Sequence, residues 1–150
     1  MISGEERIEL IHHRLRRANE TFIEADILLK AAKMPGAVNR IYYAVFYAAS
    51  ALLLNHGFSS LKHSGLIALF HKEIVNKGIL DKEYGKILER AFAYRTEGDY
   101  KEKRSFEGTG RITFPRRQKI HRKNQRTLFI IRVLLQRHRK IHSTADGWQG

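Results

Sequence analysis

The chain has 150 residues, 43% of them apolar, with no cysteine and two prolines. That suits one domain with a real core, argues against wholesale disorder, and excludes disulfides and thiolate sites. The formal net charge is +13, but residues 1–104 hold 17 Lys+Arg against 13 Asp+Glu while residues 105–150 hold 11 against 2, so any nucleic-acid reading drawn from charge rests mostly on the tail. The opening "MISGEERIEL" is too acidic and polar for a secretory signal. The apolar run in "TLFIIRVLLQ" is too short and too charged to cross a bilayer. No membrane role is expected, and a cytoplasmic location is.

Long apolar-periodic segments dominate, so the expected class is all-α. Ile8, Ile11, Leu15, Ala18, Phe22, Ala25, Leu29 and Ala32 recur three and four residues apart. They predict a first helix over about Glu5 to Lys33, broken by Pro35 and Gly36. A second helix, about Ala37 to His56, is apolar nearly all round, as a central bundle helix would be, and Gly57 should end it. Ser59 or Ser60 can cap a third helix that runs to about Asn76, with His63 on the stripe of Leu66, Ile67, Phe70 and Ile74. A fourth begins near Asp81, carries Ile87, Leu88, Ala91 and Arg95 on one side, and ends or loosens at Gly98. Beyond Arg104 clean periodicity fails until "TLFIIRVLLQRHRK", where Leu128, Ile131 and Leu135 could align a fifth helix.

Three places could carry chemistry. Arg40, Tyr43 and Tyr47 share a helical face, flanked by Asn39 and Tyr42. An Arg beside aromatic rings can hold a phosphate while the rings stack a base; alternatively the tyrosines are core or interface residues and Arg40 pairs with an acid on a neighbouring helix. His63 lies on an apolar stripe, where it is either a hydrogen-bonded core residue or a base or nucleotide contact. His71 is eight residues away and no carboxylate stands at ligand spacing with His63, so no metal is expected. Arg95 shares the inner face of its helix and needs an acceptor, with Asp99 four residues on and Tyr100 next. No phosphate loop, nucleophile elbow or zinc helix is present, and no cofactor is expected.

The ordered set "AVNRIYYAVFYAASALLL", "HGFSSLKHSGLIALF" and "KGILDKEYGKILERAFAYRTEGDY" strongly resembles the HEPN domain family over about Ile8 to Tyr100. The resemblance rests on Asn39-Arg40-x-Tyr42-Tyr43-Ala44, then His63-Ser64, then Arg95 and Asp99-Tyr100. It implies an antiparallel up-and-down bundle of four to five helices, usually a homodimer. It also implies a partnership with a minimal nucleotidyltransferase in a toxin–antitoxin-like pair. Two functions come with the resemblance: nucleotide binding, and metal-independent RNA cleavage.

The resemblance also implies a nuclease branch in which four to six residues separate the late Arg from a His. Here Thr96, Glu97, Gly98, Asp99 and Tyr100 follow Arg95, with no His. Arg7/His12 and Arg116/His121 fit the bare spacing but fall in other elements. A nucleotide- or partner-binding module is therefore the expectation, with Arg40, Tyr43, His63, Arg95, Asp99 and Tyr100 around a polar groove. The alternatives are a metal-independent endoribonuclease relying on Arg95, and a purely structural dimeric interaction protein. Residues 1–103 form the expected bundle domain and 104–150 a basic C-terminal extension. The extension has two readings: a frameshifted terminus, since shifted purine-rich Glu codons give Lys and Arg, or a genuine nucleic-acid-binding tail that adds a fifth helix.

Overall fold

The computed structural model describes residues 2–107, with side chains through Thr96. Its elements are α1 (Gly4–Lys30), α2 (Met34–Asn55), α3 (His63–Phe70) continued by a π-helical turn (His71–Val75), and α4 (Lys82–Glu107). Among the described residues there is helix and no strand, which makes the fold an all-α helical bundle. The expected fifth helix lies outside the described residues.

A reciprocal cap opens α1. The Glu6 backbone N–H donates to Ser3 Oγ at 3.1 Å, and the Ser3 N–H donates to Glu6 Oε2 at 2.7 Å, satisfying two groups that a helix start otherwise leaves bare. The expected stripe holds in its middle: Ile11, Ala18 and Ala25 are buried, while Ile8 is about half exposed. The helix stops three residues earlier than Lys33. Ala32 turns left-handed at φ 57°, and Lys33 N–H closes back on Leu28 O at 2.8 Å. Pro35 then sits in the first turn of α2 rather than between helices, where its fixed φ fits and its missing N–H costs nothing.

α2 is the central element. Ile41, Tyr42, Ala44, Val45, Phe46, Ala48, Ala49, Ala51, Leu53 and Leu54 are all buried. It runs antiparallel to α1, because its late residues Ala51 and Leu54 pack with Ile11 while its early Arg40 meets Glu24. The many alanines on both helices let the backbones approach closely. Among the described residues α2 is the segment long and apolar enough to cross a membrane; 61% of its most apolar window is buried within the bundle, as a core helix requires. Gly57 ends the helix as expected, with φ 83°. Phe58 N–H bonds Leu53 O at 2.9 Å and Gly57 N–H bonds Leu54 O at 3.0 Å, the paired closure of a Schellman end.

Neither Ser59 nor Ser60 caps α3. Ser60 Oγ instead donates to Lys62 O at 3.1 Å and accepts from Lys62 N–H at 3.3 Å. That bond shapes the loop and makes His63 the first helical residue. Asp81 does cap α4, accepting from the Glu83 N–H at 3.1 Å. Gly98 does not end that helix, which continues to Glu107; one glycine's cost of about 1 kcal/mol is small beside a 26-residue helix whose first half packs on the core. Leu66, Phe70 and Ile74 from α3 and its π turn, and Leu88 from α4, close the core over Tyr42 and Leu53.

Candidate functional site

The site grows from four aromatic residues on α2. The helical repeat turns Tyr42 and Phe46 inward and leaves Tyr43 and Tyr47 partly exposed. Tyr42 is fully buried and meets Tyr43 edge to face, with centroids 5.3 Å apart. α4 lays Arg95 across this pair: its guanidinium carbon is 5.1 Å from the Tyr42 centroid and 5.1 Å from the Tyr43 centroid. Such contacts stabilise by about 0.5–2 kcal/mol, more as water is excluded.

α3 delivers His63 to the same place. Its ring stacks on Phe46 with centroids 4.5 Å apart, and its Nδ1 hydrogen-bonds the Tyr42 hydroxyl. Burial raises the Tyr42 phenol above its ordinary value, with the Arg95 charge pulling the other way. Tyr42 therefore keeps its proton near neutral pH and donates. Burial first, and the Arg95 charge second, hold His63 below the ordinary histidine value. His63 is then neutral near pH 7, accepts at Nδ1, and carries its own proton on Nε2.

Tyr43, His63 and Arg95 thus converge, drawn from three helices. Arg40 lies one turn towards the start of α2, 5.8 Å from the Tyr43 centroid. Its guanidinium pairs with Glu24 of α1 at 3.1 Å and donates to Asn39 Oδ1 at 3.2 Å, the acid partner that the structural reading of Arg40 anticipates. Asp99 and Tyr100 lie farther along α4; their side chains are outside the described residues. The residue that spacing undervalues is Tyr42, which joins His63 to Arg95. A signal for it was present: a tyrosine on the buried side of a core helix needs a partner for its hydroxyl, and so does a histidine on an apolar stripe.

The arrangement offers a cation over two aromatic faces, a neutral imidazole and a phenol. That combination suits a planar ring bearing an anionic group. A second cluster adjoins it. Arg14 and Arg17 of α1 lie 5.7 Å and 5.6 Å from the Tyr47 centroid, and Tyr47 is 6.1 Å from Tyr43. Among the described residues no three His, Asp or Glu side chains gather as a metal site would require.

Comparison with known proteins agrees with this architecture. The model of the HEPN domain matches residues 11–133. A UPF0332 protein of Thermotoga maritima is 48% identical over 102 residues, covering 68% of this chain and 77% of its own length. A protein of Methanocaldococcus jannaschii named as a candidate toxin is 36% identical over 92 residues, 61% of this chain and 69% of the relative. A second candidate toxin of that organism is 35% identical over 102 residues, 63% of this chain and 69% of the relative. With the helical bundle in place and most of the described chain inside the matched region, the chain belongs to the HEPN domain family.

Proposed function

We propose that the face built from Tyr42, Tyr43, His63 and Arg95, bordered by Arg40, binds a nucleotide. In this reading the protein is a cytoplasmic homodimer and the partner of a minimal nucleotidyltransferase in a toxin–antitoxin-like pair. The observation that carries the reading is Arg95 spread over two tyrosine rings at 5.1 Å each, beside a histidine kept neutral. The guanidinium attracts a phosphate, and Tyr43, partly exposed, offers a ring for a base. The candidate-toxin names of two relatives support the paired role; the dimer and the partner enzyme rest on the family alone.

Isothermal titration of the full chain with a panel of mononucleotides tests the proposal. At least one should bind, and Tyr43→Ala should weaken it roughly tenfold to a hundredfold, the equivalent of one lost stacking contact. A folded protein that binds none of the panel contradicts it. Co-purification of a nucleotidyltransferase with such a protein would then favour a pure interaction module.

A second reading, metal-independent RNA cleavage, draws on one feature: Tyr42 brings an arginine and a neutral histidine together from separate helices. With Nδ1 accepting from Tyr42, the imidazole can donate its Nε2–H to a phosphate oxygen beside the Arg95 charge. Cleavage of RNA that survives EDTA and is lost in His63→Ala would establish this activity, and inertness on structured and single-stranded RNA would remove it.

A further inference from the structure

The cluster at Tyr47 has no role in the nucleotide face just described, and its geometry leaves a charge unanswered. Arg14 and Arg17 are three residues apart on α1, so they lie on one side of it, and both reach the same ring of α2. Arg17 is answered by Glu20 at 3.1 Å. Arg14 has no carboxylate partner among the described residues, and its Nε is buried without an acceptor there. A buried guanidinium N–H without an acceptor is destabilising, and two like charges over one ring add repulsion. An arriving anion would relieve both. A phosphoryl group fits, since its oxygens can accept from the arginine fork and from the neighbouring guanidinium together.

Position gives this anion a context. Tyr47 follows Tyr43 by four residues, about 6 Å along α2 at 1.5 Å per residue. Their rings are in tilted contact at 6.1 Å. The face that holds Arg95 therefore continues into the face that holds Arg14 and Arg17. We infer that Arg14, Arg17 and Tyr47 form a second phosphoryl subsite, taking a further phosphoryl group of a ligand whose base lies at Tyr43 and Arg95. This rests on the nucleotide reading above and deepens it, because the ligand must extend beyond a mononucleoside monophosphate. The added phosphoryl group comes either from a polyphosphate tail or from the next unit of an oligonucleotide.

Titration calorimetry of the full chain with AMP, ATP, the 5′-phosphorylated dinucleotide pApA and inorganic pyrophosphate tests the subsite. ATP or pApA should bind about tenfold more tightly than AMP, and Arg14→Ala should abolish that gain while changing AMP affinity less than twofold. A gain for ATP alone identifies the polyphosphate tail, and a gain for pApA alone identifies the next nucleotide. Arg17→Ala serves as the second variant, and thermal unfolding checks that each is folded. No gain for either ligand, or a gain that survives Arg14→Ala and Arg17→Ala, overturns the subsite while leaving AMP binding to stand. Equal weakening of AMP and the longer ligands also overturns it. Pyrophosphate binding lost in Arg14→Ala, without binding of AMP, keeps the anion site and sinks the nucleotide reading.

Discussion

Tyr42 organises the site by holding two groups at once, His63 through its hydroxyl and Arg95 through its ring. Tyr42→Phe keeps the ring and removes the hydroxyl, leaving His63 Nδ1 without its donor. Urea unfolding should then show a loss of about 1–2 kcal/mol. His63 also sets a pH dependence whose sign follows from its direction of shift. Its folded value is lowered from 6.5, so below that pH the unfolded chain binds the proton more readily. Its contribution is present above about pH 6.5 and is lost as pH falls through 6.5 towards the lowered folded value. Denaturant titrations at pH 7.5 and 5.5 should show that loss, and His63→Asn should flatten it. The sequence made Tyr43 legible as a candidate by the face it shares with Arg40 and Tyr47, and His63 and Arg95 as polar or cationic groups on apolar stripes. It could not show that they meet, since they come from α2, α3 and α4 and no local spacing relates them. Arg40 was legible with both of its readings, and the Glu24 pair supplies the structural one; being about half exposed, that pair adds little stability and leaves Arg40 able to turn to a ligand.

Most helix ends were legible to within a few residues because apolar stripes and end signals agreed, as at Gly57, but α4 runs past Gly98 to Glu107. Ala32 shows what periodicity cannot give: the apolar pattern runs on, yet the backbone turns left-handed to close α1. An L-residue there is strained, so Ala32→Gly should raise stability by about 1 kcal/mol, read from the shift in urea midpoint. Gly85 illustrates a contact invisible to pattern. A Cβ built on it would run into the ring of His71, which the π turn presents to α4 and which pairs with Glu89 at 2.9 Å. Gly85→Ala should therefore destabilise the protein despite a helix-propensity gain of about 1 kcal/mol. In a His71→Ala background the same change should stabilise it. Thermal unfolding of the four combinations checks that reversal of sign; destabilisation of equal size in both backgrounds would show that the ring is not the obstacle.

At the scale of the whole molecule, the fold class followed from one helix. α2 is apolar on nearly every side, so it demanded covering helices, and α1, α3 and α4 supply them. Leu88→Ala, opposite α2 in that core, should cost about 2–5 kcal/mol. The charge of the chain does not define the site in the same way. Most of its excess lies beyond residue 104, whereas the arginines at the aromatic face are placed by helices of nearly balanced charge. Reading the coding sequence in the other frames separates a frameshifted terminus from a genuine basic tail: a better bundle-like continuation identifies the first, and its absence the second. The proposed nucleotide face depends on Arg95, and calorimetric titration of the alanine variant with the tightest-binding mononucleotide reads that dependence. Arg95→Ala should remain folded and lose about tenfold or more in affinity, with partial recovery in Arg95→Lys. Unchanged affinity in a folded Arg95→Ala protein would contradict the nucleotide-binding proposal.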